Sequence, residues 1–144
     1  MKIEVQKISP DDTLFETVKK IRHTVFVIEQ EVPEEEEFDE FESSSAHFLA
    51  LVDDLPAGAS RWRETSEGFK LQRFAVLKEH RKKGVGSALV QAVLDDLPSS
   101  AEKPIYLHAQ FDAMPLYQKF GFEKVGEAFQ ECDIWHYKMV RNRF

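Results

Sequence analysis

Arg81-Lys82-Lys83-Gly84-Val85-Gly86-Ser87 decides how this chain folds, because it stands between the strand-like run Leu71 to Leu77 and a helical apolar pattern that opens at Val85. Glycines at 84 and 86 let backbone N–H groups approach an anion closely, and the unpaired amides and positive dipole end of the following helix attract it. Arg81, Lys82 and Lys83 add charge for further phosphate oxygens. The pattern predicts a pyrophosphate seat; the alternative is a glycine-rich turn with solvated cations. Two other nucleotide sites are excluded. The loop lacks the Gly-x-x-x-x-Gly-Lys-Ser/Thr spacing, and the dinucleotide fingerprint needs a third glycine and an acid at the end of the next strand, whereas Asp95 and Asp96 fall inside the helix pattern.

Outward from the loop, strands and helices alternate without repeats or linkers. A first strand is expected near Ile3 to Ile8, and Ser9-Pro10-Asp11-Asp12 reads as a helix start, with Ser at the cap and Pro in the first turn. Leu14, Val18, Ile21, Val25 and Ile28 then make an apolar stripe. Strands at His47 to Val52, Ala57 to Arg63 and Phe69 to Leu77 read as an antiparallel meander. Val85, Leu89, Val93 and Leu97 mark a helix that Pro98 ends. A strand at Ile105 to Gln110, a short helix at Ala113 to Phe120 stopped by Gly121, and strands at Glu123 to Val125 and Ile134 to Val140 complete an α/β sheet of mixed direction.

Length and composition bound the function. The chain has 144 residues, 42% of them hydrophobic, with twelve phenylalanines, which suits one domain over residues 1–144 and leaves no room for a second catalytic one. A strand pattern begins directly at Ile3, and no apolar run approaches the roughly eighteen residues a bilayer span needs, so a soluble cytoplasmic protein is expected. Cys132 is the only cysteine; no intrachain disulfide can form, and a lone thiol is usually packing rather than a nucleophile. The net charge of −7 is concentrated: Glu31 to Glu42 holds eight of the 26 acids and no base, and subtracting them leaves 18 against 19 Lys plus Arg. That run is either a solvated loop or an acidic rim that draws cationic amines to a nearby site. The acidic balance and the absence of a basic stripe with interleaved aromatics argue against nucleic acid, and scattered histidines with one cysteine against a metal site.

Arg-x-x-Gly-x-Gly between a strand and a helix resembles the acyl-CoA signature of the GNAT N-acetyltransferase superfamily. Met114-Pro115-Leu116-Tyr117-Gln118-Lys119-Phe120-Gly121-Phe122 is similar to its Tyr-x-x-x-Gly-Phe element. Within the superfamily the chain most resembles the small bacterial ElaA-like and YjcF-like group. Ile21 to Gln30 with the acidic stretch and His47, Arg73 through Gly86, and Leu107 to Gln110 with Tyr117, Gly121, Phe122, Ile134, Trp135, His136 and Met139 carry that likeness. The resemblance implies a mixed, mostly antiparallel sheet flanked by helices, in which the strands Leu71 to Leu77 and Ile105 to Gln110 splay apart into an acyl-CoA cleft. Acetyl-CoA would then place its pyrophosphate at Arg81, Lys82, Lys83, Gly84, Val85, Gly86 and Ser87, and its pantetheine on the main chain of Phe74, Ala75 and Val76. Gln110 is assigned to the same coenzyme, and Lys119 either approaches the nucleotide phosphate or is solvated. Tyr117 would protonate the leaving thiolate, or else be a packed helix tyrosine.

Arg22, Phe26 and Glu29 share one helical face by their i, i+4, i+7 spacing, and either wall an acceptor pocket or anchor the acidic loop. His47 and Arg73 are assigned to the acceptor with them. His47, His108 and His136 all fall in strand patterns, with His136 and His108 the stronger base candidates. The closing segment departs from the group, with Asp133 and Trp135 where a Gly and a Pro are usual, so no acceptor identity carries across. The expected activity is direct transfer of acetyl from acetyl-CoA to a small amine, an amino sugar phosphate or a protein amine. An amino sugar phosphate would want bases, for which Arg61, Arg63 and Arg73 are the obvious suppliers. The alternative is a non-catalytic acetyl-CoA sensor. A homodimer through an exposed strand edge is compatible with either.

Overall fold

The computed structural model describes residues 1–99 and 103–141. Strand β1 (Ile3–Ile8) leads to α1 (Phe15–Arg22), which runs on as a π-helical turn (His23–Glu29), followed by α2 (Glu34–Glu37). Strands β2 (Ala46–Val52), β3 (Leu55–Thr65) and β4 (Gly68–Val76) follow, then α3 (Val85–Asp96), β5 (Ile105–Gln110), α4 (Met114–Gln118), β6 (Phe122–Glu131) and β7 (Ile134–Arg141). Seven strands make one sheet in the order β1-β2-β3-β4-β5-β7-β6. Every neighbouring pair is antiparallel except β4 and β5. This is the mixed, mostly antiparallel sheet that the sequence predicts. No helix among the described residues is long and apolar enough to cross a membrane.

Period-two alternation sorts the strands onto two cores. Phe48, Ala50, Val52, Phe69, Leu71, Ile105, Leu107 and Ala109 pack against Val85, Leu89, Val90 and Val93 of α3. Leu49, Ala59 and Ala75 face the other way, onto Phe15, Val18, Ile21, Val25 and Phe26 of the first helix. Beyond the Ala75 end of β4 no helix among the described residues covers that second face, and Lys70, Gln72, His108, Gln110 and His136 line an open cleft there.

Two expectations for the first helix need correction. It starts at Phe15 with Leu14 at the cap rather than at Ser9. Ser9 Oγ accepts from the Asp11 amide at 3.3 Å and Asp12 Oδ1 from the Leu14 amide at 2.8 Å, so both side chains hold the segment in turns instead of capping a helix. The stripe also breaks at Ile28, which is 62% exposed. After His23 the coil widens, and the Gln30 amide reaches back five residues to the Val25 carbonyl at 3.2 Å. The wider turn buries Val25 and Phe26 together and rotates Ile28 outward. Strand β6 is longer than the Glu123 to Val125 expected, because Cys132 and Asp133 take φ of 50° and 62° and close a two-residue hairpin in which Glu131 faces Ile134.

The β4–β5 pairing positions the site. The two strands are in register only at Phe69↔Ile105, Lys70↔Tyr106 and Leu71↔Leu107, and beyond that point they diverge. Directly past it β4 carries a bulge: Arg61 pairs with Gln72 and Ala59 with Ala75, so Arg73 and Phe74 together oppose Ser60. Arg73 sits at φ 61°, a conformation uncommon for a residue with a side chain. The bulge bends β4 away from β5 and opens the sheet.

Candidate active site

The divergence opens a cleft of about 1180 Å³ that runs from the glycine loop to the β6–β7 turn. At the loop end, Lys82 and Gly84 both adopt positive φ, of 63° and 90°, so that successive amides turn toward one side. Gly84 caps α3 without any side-chain hydrogen bond, leaving the amides of the first turn to the cleft. Gly86 lies close under α4: a Cβ there would stand 3.2 Å from Leu116 Cδ2, a tight contact that this side chain would have to yield to. Arg81, Lys82, Gly84, Val85, Gly86, Ser87 and Lys119 all line this end. Lys83 does not. Bare amides at a helix N-terminus, two left-handed residues and a glycine against α4 fit a pyrophosphate, and the diverging strands fit the narrow arm of a coenzyme.

Two polar bridges tie the π-helical turn to this end. Arg81 donates to both Glu29 carboxylate oxygens at 2.9 and 2.7 Å, and through Nε to the Val76 carbonyl at 2.9 Å. Its guanidinium is therefore already partnered. Gln110 donates to Gln30 Oε1 at 2.8 Å, crossing from β5 to the first helical segment. Phe74 and Val76 line the cleft, while the side chain of Ala75 is buried in the opposite core.

Tyr117 stands between the two ends. Its ring packs edge-on against Phe74 at 5.7 Å and Phe122 at 6.2 Å. Burial, reinforced by the charge of Asp112, holds the phenol pKa well above its usual range, so the hydroxyl keeps its proton at neutral pH.

At the far end, side chains from five segments converge. His136 Nδ1 donates to the Ile134 carbonyl at 2.7 Å, which leaves Nε2 as the lone-pair nitrogen of the neutral ring, 3.9 Å from Glu131 Oε1. His108 Nδ1 donates to Glu131 Oε2 at 3.1 Å. One carboxylate thus links the two histidines, and its hydrogen bond to His108, stronger than the opposing burial, lowers its pKa. Phe129 packs between the two rings, edge-on to His108 at 5.0 Å and stacked on His136 at 5.9 Å. Glu131 was not legible because the expected strand stopped at Val125; the β6–β7 register is the signal that places it opposite Ile134.

The acidic segment divides in two. Glu37, Asp39 and Glu42 turn inward, and their partners are arginines. Arg22, 1% exposed, bonds Glu37 Oε2 at 2.7 Å, the Glu37 carbonyl at 2.9 Å and Glu42 Oε2 at 2.8 Å. Fully buried Arg61 grips both Asp39 oxygens at 3.0 and 2.6 Å, with Glu42 and Gln72 as further partners. Arg73 on the bulge reaches Glu37 at 3.2 Å and Asp39 at 3.1 Å. Burial raises the Asp39 carboxyl, but the hydrogen bonds and charge of Arg61 outweigh it and hold the pKa at about 2. Neither a solvated loop nor an acidic rim describes these three acids.

Two residues expected at the acceptor lie elsewhere. Arg22 is beneath the acidic segment, anchoring it, and does not line the cleft. His47 is fully buried on β2 beneath the first helix, where Nε2 donates to the Glu42 carbonyl at 2.7 Å and the ring meets Phe15 edge-on at 4.7 Å. Phe26, Glu29, Arg73, His108 and His136 do line it. So do Arg63, which the sequence offered only for a phosphate-bearing acceptor, and Lys70, Glu36 and Cys132, which it did not single out for the acceptor. Burial, with the Glu36 carboxylate that accepts a hydrogen bond from the thiol at 3.2 Å, pushes the Cys132 pKa up to about 11. A thiol so high is a poor nucleophile.

Comparison with known proteins agrees with this geometry. Residues 10–142 match the acetyltransferase (GNAT) domain. The uncharacterized N-acetyltransferase YjcF of Bacillus subtilis is 38% identical over 123 residues, covering 85% of this chain and 88% of that protein. The crystal structure of Escherichia coli ElaA superposes with a TM-score of 0.85 at 27% identity, over 98% of this chain and all of that one. A GNAT acetyltransferase from Elizabethkingia anophelis, solved with acetyl-CoA bound, shares the fold, with a TM-score of 0.71 at 15% identity over 97% of each chain.

Proposed function

The chain belongs to the GNAT acetyltransferase family, whose cofactor is acetyl-CoA, and from that premise we propose that it acetylates a primary amine by direct attack within a ternary complex. The carrying observation is the divergence of β4 and β5 past Leu71 and Leu107, directly over the uncapped N-terminus of α3. When bound, acetyl-CoA supplies a thioester, so that ammonium and thioester become amide, thiol and a proton.

Residues 82 and 84–87 would hold the pyrophosphate through main-chain amides, with Lys119 nearby. Phe74, Val76 and Gln110 would flank the pantetheine arm, and the bulge at Arg73 and Phe74 turns main chain toward the reacting carbonyl. Tyr117 Oη keeps a proton available for the departing sulfur. His136 Nε2 is the lone pair that removes a proton from the incoming ammonium, and Glu131 stabilises the charged ring that results. His108 orients Glu131. Most of the rate comes from positioning.

Thermal denaturation with and without acetyl-CoA, using ATP and NAD as controls, tests the coenzyme half. At a hundred times the dissociation constant, linkage adds roughly 2.7 kcal/mol, a rise of about 5 to 10 °C in a domain of this size. A selective rise supports the reading, and no rise at saturation overturns it. An amine screen by thiol release tests the second half. Acetyl-CoA binding with no turnover on any amine would favour the sensor.

A further inference from the structure

Glu37, Asp39 and Glu42 of the acidic segment and the arginines opposite them cancel one another, which changes the charges an acceptor meets. Arg22, Arg61 and Arg73 are each held by carboxylates of that segment. Two cations in the same cleft wall are not. Lys70 is half-buried, and among the described residues it makes no hydrogen bond or ion pair; burial lowers its pKa, opposed chiefly by attraction to Glu131. Arg63 is its register partner across β3 and β4. The Arg63 guanidinium lies 3.7 Å from the centre of the Phe41 ring, its Nε is shielded from solvent without a partner, and among the described residues no carboxylate lies within ion-pair range of it.

A half-buried guanidinium with no ion pair, and a half-buried ammonium drawn toward Glu131 without contacting it, are costly to keep unless something anionic visits them. A guanidinium held flat on an aromatic ring presents its donors already oriented, and those donors match the oxygens of a carboxylate or phosphate. The opposite charge stands next to them. Lys70 is in register with Tyr106, and His108 follows two residues along the same strand. Strand spacing puts the Cα atoms of Lys70 and His108 about 8 Å apart, a span that a long lysine side chain shortens to the length of a small molecule. His108 in turn holds Glu131 beside His136.

Resting on the transferase reading above, we propose that the acceptor is a small amine that also carries an anionic oxygen group. Lys70 and Arg63 take the carboxylate or phosphate, and Glu131 and His136 take the ammonium. Of the acceptors the sequence left open, this disfavours a purely cationic amine. Of the acids that suggested one, Glu37, Asp39 and Glu42 are neutralised inside the fold by Arg22, Arg61 and Arg73.

The test is acetylation of matched pairs by thiol release: α-amino acids against their amides, and O-phosphoethanolamine against ethanolamine. The anionic member of at least one pair is expected to have about ten- to a hundredfold higher kcat/KM, the value of one or two charge-assisted hydrogen bonds. Which pair responds tells carboxylate from phosphate. In Lys70→Met, and separately in Arg63→Gln, that preference should fall to within about threefold while acetyl-CoA still raises the melting temperature. Equal or better use of the amides and of ethanolamine, or a preference unchanged in both variants, overturns the proposal. If acetyl-CoA binds and no amine releases thiol, the transferase reading fails, and the acceptor site is judged by binding alone. Stabilisation of the CoA-bound protein by the amino acids or O-phosphoethanolamine, lost in Lys70→Met, still supports it; no stabilisation by either overturns it.

Discussion

The two ends of the cleft are built from different materials. At the end proposed for the coenzyme the groups on offer are main chain: left-handed residues at 82 and 84, the uncapped amides of α3, and a glycine at 86 close under α4. At the end proposed for the acceptor they are side chains, delivered by β3, β4, β5, the β6–β7 hairpin and the acidic segment, and fixed by ion pairs, of which those of Arg22 and Arg61 have a buried guanidinium. Main-chain groups come with every residue, so a short local motif suffices to aim them. Side chains from distant segments meet only when the whole sheet is in register. The first end therefore tolerates substitution wherever φ and size allow, and the second depends on partners.

The largest effect is expected where the ends meet. Tyr117→Phe removes the proton donor proposed between them and should lower kcat by about 10²- to 10⁴-fold, with acetyl-CoA affinity within about threefold of the parent. Stopped-flow turnover and equilibrium titration measure the two separately. Unchanged turnover would return Tyr117 to a packing role between Phe74 and Phe122.

Stability gives the next contrast. Arg61→Ala strands Asp39 and Glu42 beside a buried cavity and should cost about 3 to 5 kcal/mol in urea denaturation. Lys83→Ala, outside the cleft at the other end, should change stability by less than about 0.5 kcal/mol. Similar losses for the two would erase the distinction between the regions. Coenzyme affinity inverts the order: Gly84→Val forces a β-branched residue to φ 90° and should weaken acetyl-CoA binding about tenfold by isothermal titration, whereas Lys82→Ala leaves the amides in place and should weaken it less.

That difference in materials also governed what could be read in advance. Gly84, Gly86 and the strand and helix around them are a local pattern, and so are Val85, Leu89 and Val93, whose burial against the sheet follows from their spacing. Ile105 to Gln110 was legible to the residue. The acceptor end was not. Glu37, Asp39 and Glu42 look like part of one solvated acidic run until β3 and β4 bring Arg61 and Arg73 underneath them. Arg22 shares helical spacing with Phe26 and Glu29, but the π-helical turn between them changes the angle, so Arg22 faces the acidic segment while the other two face the cleft. His47 carried the chemistry of a base and the alternation of a buried strand residue, and the alternation decided its place.

The smallest effect is a pH dependence confined to the acceptor end. Asp39 is held at about 2 in the folded chain against an ordinary 3.8, so it contributes stability above about pH 4 and loses it as pH falls toward 2. The full shift would correspond to about 2.4 kcal/mol, but the side chain is 22% exposed and solvent screening reduces the expected contribution to about 1 kcal/mol. Asp39→Asn keeps an acceptor for Arg61 and removes the titration. Its urea stability at pH 7 should be lower by about that amount, and its decline between pH 4 and pH 2 shallower than the parent's by the same amount. Other carboxylates titrate in that window in both proteins, so the difference between the two curves isolates Asp39. Parallel curves would mean that the Arg61 contact contributes shape without charge, and the acceptor end would then resemble the coenzyme end in depending on geometry alone.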